Sequence, residues 1–298
     1  MAANLRLAIT ADLHWGARRS GDEATRGLVA FLRDDPPDVL VLAGDVGAGD
    51  RFGECLARFA DLPSLKAVIP GNHDIWVDED DPRGDSLEVY RHYLPAVSAK
   101  YGFQYLDQKP LVLPREKLGL VGSINWYDYS WSIDPLRRQF PGGEERLRTK
   151  LFTRGRHNDG RFVRWPLDDG RFTAEVVATL EQQLWETVVQ AEKVIIVAHH
   201  PPFYGLSFPR QAPPTTLDEL LWDAFAGNHS LEKVLAENAG SIPFAFCGHT
   251  HRAREATLGT IRGYNVGGDY HFKRLLLLTW PDGAVEAFTF GDQEGGRR

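Results

Sequence analysis

The stretch KAVIPGNHD, residues 66–74, decides how the chain is read. An apolar run from Lys66 to Ile69 has the length and composition of a buried strand, and Pro70-Gly71 ends it. An amide, an imidazole and a carboxylate, Asn72, His73 and Asp74, follow without a spacer. Pro-Gly-Asn alone is ordinary turn chemistry. A turn does not explain why His73 and Asp74 stand at the tip of that strand, and the rest of the chain supplies the context.

The same form recurs. LRLAIT (5–10), DVLVLAGD (38–45), KAVIPG (66–71), LGLVGS (118–123), KVIIVAHH (193–200) and PFAFCGH (243–249) are short, nearly continuous apolar runs. Such runs predict strands covered on both faces. Between the first three lie helical patterns over 21–34 (Leu28, Val29, Phe31, Leu32) and 50–61 (Phe52, Leu56, Phe59), and a longer helix is predicted over 173–192. The alternation predicts βαβ units and an α/β fold. GTIRGYNVGG, RLLLLTW and AVEAFTF read as further strands toward the C-terminus.

Polar residues gather at the strand tips. Asp12 and His14 follow the first, Asp45 the second, Asn72 and His73 the third, His199 and His200 the run at 193, and His249 and His251 the run at 243. Six of the ten histidines lie in these tips. Ligand sites in α/β sheets form at the carboxyl ends of strands, so these tips are expected to converge. Each alone is weak, since Asp-x-His is commonly a loop and Gly-His-Thr-His could be a polar hairpin. Together, imidazoles, carboxylates and one amide make a donor set for zinc, iron or manganese that needs no cysteine. If the segments are extended, Asp12 and His14, and likewise His249 and His251, share one side. Gly44, Gly71 and Gly248 precede ligands and allow close approach or positive φ.

The order D-x-H, G-D, G-N-H-D, H, G-H-x-H, spanning residues 12–251, resembles the calcineurin-like metallophosphoesterase superfamily. The resemblance implies a four-layer α/β/β/α sandwich with two mixed sheets and a dinuclear centre. It implies that Asp12, His14, Asp45 and His251 hold one ion. Asp45, Asn72, His199 and His249 would hold the other, and His73 would contact substrate. His199 is preferred to His200 because it comes directly after the strand. The activity implied is hydrolysis of a phosphate mono- or diester by a metal-bridging hydroxide, with Asp45 and His73 as the catalytic pair. A nuclease of the same chemistry and a non-catalytic metal-binding scaffold on the same fold are the alternatives. Family members often carry an acid or amide three residues after the bridging Asp to orient the histidine of G-N-H. Here that position is Ala48, leaving Asp50, Asp74 or the backbone to do so.

The 298 residues carry a net charge of −7, which excludes a general nucleic-acid coat protein. Two cysteines, Cys55 and Cys247, are too few for a disulfide framework and fit a reduced compartment. No run reaches a membrane-spanning length and no signal-peptide pattern opens the chain. A cytoplasmic protein acting on a small phosphate ester is expected, with nucleic acid less favoured.

Residues 125–172 break the pattern. They form a basic, aromatic insertion within one domain spanning 1–290, and 291–298 read as a frayed tail. From 137 to 164 nine Lys/Arg face three acids. Most such charge is solvated. As a lid, the segment would draw in an anionic substrate, with Arg137, Arg138 and His200 as expected substrate contacts. Its aromatics, Trp126, Tyr127, Tyr129 and Trp131, would either stack on substrate or pack the lid.

Overall fold

In the computed structural model, which describes residues 4–292, twelve strands form two six-stranded sheets. In the first sheet β1 (Leu5–Thr10), β2 (Val39–Ala43), β3 (Leu65–Ile69) and β4 (Phe103–Tyr105) run parallel. β11 (Lys273–Trp280) lies antiparallel on β1, and β12 (Ala284–Phe290) antiparallel on β11. In the second sheet β6 (Leu118–Ser123), β7 (Lys193–Ala198), β8 (Phe244–Cys247) and β10 (Ile261–Asn265) run parallel. Antiparallel edges, β5 (Leu111–Leu113) and β9 (Arg254–Leu258), close that sheet. Both sheets are therefore mixed, as expected.

Apolar side chains on both faces of each strand create the layers. Leu7, Ile9, Val39, Val41, Ala67 and Ile69 face Leu118, Leu120, Ile195, Val197 and Phe246 of the other sheet. The alternate residues Ala8, Leu40, Leu42 and Val68 point outward. They meet α1 (Arg19–Asp34) through Leu28, Val29 and Leu32, and α2 (Arg51–Phe59) through Phe52, Leu56 and Phe59. On the other side Val121, Val194, Ile196 and Ala245 pack beneath α8 (Asp169–Val188) and α10 (His229–Glu237). The result is a four-layer α/β/β/α sandwich. Each fully buried Val, Leu or Ile contributes about 1.5–3 kcal/mol relative to exposure.

Some helices were not legible. A helical stretch covers 86–100, made of α3 (Ser86–Glu88), a π-helical turn (Val89–Tyr93) and α4 (Leu94–Lys100). α8 begins four residues before its predicted start because the Asp168 side chain accepts the Arg171 N–H at 2.8 Å, a cap that contributes about 1 kcal/mol.

The insertion holds three short helices, α5 (Ile133–Gln139), α6 (Gly143–Thr149) and α7 (Asp159–Phe162), before α9 (Leu217–Ala224) follows β7. Of the two roles expected for its aromatics, packing is the one seen at Trp126 and Tyr127. Trp126 and Tyr127 are wholly buried and belong to the same apolar cluster as α1 and α2. Their polar atoms are satisfied inside: Trp126 Nε1 donates to Asp169 and the Tyr127 hydroxyl to Asp159. Of the expected tail, residues beyond Asp292 lie outside the described residues.

Candidate metal centre

The loops after β1, β2, β3, β7 and β8 meet at one end of the sandwich. Their backbones are tied together: Asp12 N–H donates to Gly44 O (3.0 Å), His14 N–H to Asp45 O (2.8 Å), and Gly248 N–H to His199 O (3.1 Å). The segments are not extended, which corrects the shared-face argument. Asp12, His14, Asp45, His249 and His251 have φ of 57°, 42°, 52°, 71° and 54°. This left-handed conformation is uncommon outside glycine, though Asp and His visit it more than most residues. Held by inter-loop hydrogen bonds, it is backbone strain localised at a site. Crowding also dictates two glycines. A Cβ at Gly44 would lie 2.4 Å from His199 Nδ1, and one at Gly71 would lie 2.1 Å from Asp45 Oδ1.

Asp12, His14, Asp45 and His251 each bring a ligand atom within 4.8 Å of the others. The Nε2 atoms of His14 and His251 face each other at 3.0 Å. His14 Nε2 is 3.5 Å from Asp45 Oδ2, and His251 Nε2 is 3.6 Å from Asp12 Oδ1. Asp12 Oδ2 is buried without a hydrogen-bond partner. A second group adjoins the first. His199 Nε2 lies 3.2 Å from Asn72 Oδ1 and 3.4 Å from Asp45 Oδ1, while its Nδ1 bonds Ala43 O. His249 packs edge-on to His199 with ring centroids 5.3 Å apart. Asp45 thus turns one oxygen to each group. Converging acceptors and an orphaned carboxylate oxygen are what a cation would satisfy, so these residues fit the metals that the donor types imply.

The electrostatics agree. Burial holds the pKa values of His14 and His249 well below the ordinary imidazole value and lowers that of His251; it also lowers that of His73, which belongs to neither donor group. Neutral imidazole is the metal-binding form. His199 is the exception. Burial opposes its charge, but Asp45 and then Asp12 outweigh that and lift it to about 9. Burial works against the Asp45 carboxylate too, yet the surrounding His73, His199 and His14 bring its pKa well below the usual range.

Neither Asp50 nor Asp74 orients the His73 ring. Asp50 accepts from the Tyr93 hydroxyl. Asp74 accepts the N–H groups of Val46, Gly47 and Gly71, clamping the second and third loops. The His73 ring instead stacks on Trp76, with centroids 3.6 Å apart and planes 28° apart, and the His73 backbone N–H donates to Asp45 Oδ1. Tyr270 stacks on His14 at 4.2 Å. Sequence reasoning gave neither aromatic a role; the one signal for Trp76 was its place three residues after His73.

Above the two groups opens a cavity of 460 Å³. Its floor includes Asp45, Asn72, His73, His249 and His251. Arg154 and Arg156 of the insertion line it, with Phe152, Phe208 and Trp222. The three expected substrate contacts do not line it. His200 is wholly buried, bonded to Ile124 O and packed against the His249 ring at 4.0 Å. Arg137 is exposed on α5 and paired with Glu144, and Arg138 is exposed on the same helix. A seven-residue helix with its own acidic partners turns both arginines toward solvent. No helix among the described residues is long and apolar enough to cross a membrane.

Residues 5–253 match the family model described as calcineurin-like phosphoesterase. No curated protein sequence matches the chain. Among solved structures it is similar to a phosphopantetheinyl hydrolase from Mycobacterium tuberculosis, with 19% identity, TM-score 0.68, and 91% of this chain and 92% of that one covered. It is also similar to a dimetal phosphatase from Danio rerio, with 15% identity, TM-score 0.59, and coverage of 97% and 99%. A third similar structure is the protein TT1561 of Thermus thermophilus, with 12% identity, TM-score 0.56, and coverage of 96% and 99%. At these identities the likeness establishes the fold.

Proposed function

We propose, from the premise that the chain belongs to the calcineurin-like phosphoesterase family, that it hydrolyses a phosphate mono- or diester of a small molecule at a two-metal site. The observation that carries this reading is Asp45, only 1% exposed, with its two oxygens directed to two adjoining ligand groups. Asp12, His14, Asp45 and His251 would hold one ion; Asp45, Asn72, His199 and His249 would hold the other. When bound, such ions supply positive charge to phosphate oxygens and make a nucleophile from water at neutral pH. The mixed nitrogen and oxygen donors suit manganese, iron or zinc.

The chain's own residues do the rest. His73 lies on the cavity floor with Nε2 3.8 Å from Asp45 Oδ2, and would give a proton to the leaving oxygen. Arg154 and Arg156 would pair with substrate oxygens, a geometry that guanidinium serves better than ammonium. Phe152, Phe208 and Trp222 give the leaving group an apolar wall.

The test is metal stripping followed by reloading with Mn, Fe or Zn, with p-nitrophenyl phosphate and bis-p-nitrophenyl phosphate as the two ester classes. Turnover should vanish on stripping and return with metal. Asp45→Ala should abolish turnover and metal loading while circular dichroism is unchanged. Undiminished hydrolysis by the stripped protein, or both ions retained in Asp45→Ala, would overturn the reading.

A further inference from the structure

Asp159 belongs to the insertion, 87 residues from Asn72, and is completely buried. Its Oδ1 accepts two hydrogen bonds, from Asn72 Nδ2 at 2.9 Å and from Trp76 Nε1 at 2.8 Å. Its Oδ2 accepts from the Tyr127 hydroxyl at 2.9 Å, with His157 Nδ1 3.4 Å away. Although burial opposes it, the charge is favoured: His157, Asn72 and Trp76 together hold the carboxyl below its ordinary range.

This arrangement determines which end of the Asn72 amide faces the ligand cluster. An indole N–H only donates, and a carboxylate only accepts. Asn72 must therefore turn its nitrogen to Asp159, which leaves its oxygen pointing at His199 Nε2. The same carboxylate oxygen fixes the Trp76 indole, and the Trp76 ring is the surface on which His73 stacks. We infer that Asp159 is a positioning residue by which the insertion sets both a candidate metal ligand, Asn72, and the candidate proton donor, His73. The inference rests on the two-metal reading for its consequences, but its geometric core can be tested without metal.

Two measurements separate the cases. In the metal-free wild type, the Asn72 side-chain amide, assigned by ¹⁵N NMR, should exchange slowly with solvent. Exchange as fast as that of a surface amide would overturn the inference whatever the metals do. In Mn²⁺ titration calorimetry, Asp159→Ala should weaken the ion held with Asn72 by on the order of 10–100-fold, the usual effect of removing a ligand's supporting partner. The ion held by Asp12, His14, Asp45 and His251 should bind within about threefold of wild type, since none of these residues hydrogen-bonds Asp159. Asp159→Asn keeps an acceptor for Asn72 and Trp76 and should restore most of the lost affinity. Tyr127→Phe removes only the third contact and should leave both affinities unchanged. In an Asn72→Ala background, Asp159→Ala should have no further effect on Mn²⁺ binding. Equal weakening of both ions, or two ions bound at wild-type affinity by folded Asp159→Ala, would sink the inference. Failure of the wild type to bind Mn²⁺ would sink the two-metal reading and leave the NMR result to decide the position of Asn72.

Discussion

The loops at the strand ends and the insertion above them build one cavity by different means. The loops hold Asp12, His14, Asp45, His249 and His251 in left-handed backbone; main-chain hydrogen bonds between loops pin Asp12, His14 and Asp45, and the His249 N–H donates to the Asp12 carboxylate. There the scaffold itself places the donors. The insertion adds no strand to either sheet: Trp126 to Asp169 and Tyr127 to Asp159 brace it internally, and the N–H groups of Val77 and Ser86 donate to its Phe162 O and Arg164 O. Through Asp159 it reaches Asn72 and Trp76, while Arg154 and Arg156 stay on the cavity wall. The difference teaches a division of labour: the strand ends fix the converging donor groups, and the insertion hydrogen-bonds Asn72 and Trp76 and lines the cavity above them.

The comparison breaks if the loop residues do not carry the chemistry. His73→Ala should keep both ions yet lower turnover about 10²–10⁴-fold for an ester with a basic leaving oxygen. The loss should be much smaller for p-nitrophenyl esters, whose leaving group needs no proton. Rates across a series of leaving groups, with metal content measured alongside, check this. Equal losses along the series would assign His73 to charge stabilisation instead.

The insertion's contribution should appear in binding. Arg154→Ala and Arg156→Ala should each raise KM roughly tenfold, as for a lost charge-assisted hydrogen bond, with kcat nearly constant. Arg137→Ala should change neither, because that side chain is engaged with Glu144 in solvent. A KM effect of Arg137→Ala equal to that of Arg154→Ala would erase the distinction between cavity wall and outer surface.

Legibility follows the same division. Strand tips could be read because buried parallel strands have continuous apolar sequences and because ligand chemistry restricts residue type. Thus Asp12, Asp45, Asn72 and His199 were named, and the structure brings them together. The left-handed backbone at His14 and His251 was not legible, since that conformation depends on the loops beside each. Arg154 and Arg156 carried the same signal as Arg137 and Arg138. Only the tertiary course of short helices separates the pairs. Asp159 was counted merely as one of three acids in a basic segment. Nothing local distinguishes a carboxylate that will meet Asn72 across 87 residues. For Trp126 and Tyr127 the sequence left packing and stacking on substrate both open, and the structure shows packing; an aromatic in an irregular segment gives no sign of the acceptor that allows it to be buried.

An effect on stability, with none on turnover, is expected where the two regions join. Asp107 follows β4, and its Oδ1 accepts the N–H of Ile124, where the chain leaves β6 for the insertion, and the hydroxyl of Tyr90 from the helical stretch 86–100. Its other oxygen is buried without a partner. Burial is the dominant influence and raises its pKa to about 7, against the opposing pull of the Ile124 N–H and Tyr90. Between the ordinary carboxylate pKa and 7, the folded protein therefore keeps a proton that the unfolded chain has released. Stability from this group is greatest below that window and falls as pH rises through it, since the unfolded state binds fewer protons there. Asp107→Asn removes the titration and retains an acceptor for Ile124 and Tyr90. Relative to wild type, the variant should gain about 1–3 kcal/mol between pH 5 and pH 8, less than the full linkage because part of the window lies below pH 5; its amide N–H groups, which enter a buried space without an acceptor, lower its stability equally at both pH values. Urea unfolding at the two pH values, with equal m-values as the control for two-state behaviour, reads the difference. A difference that does not change with pH would mean that Asp107 is charged in the folded state. The junction between scaffold and insertion would then be a fixed ionic contact, not one that loosens toward alkaline pH.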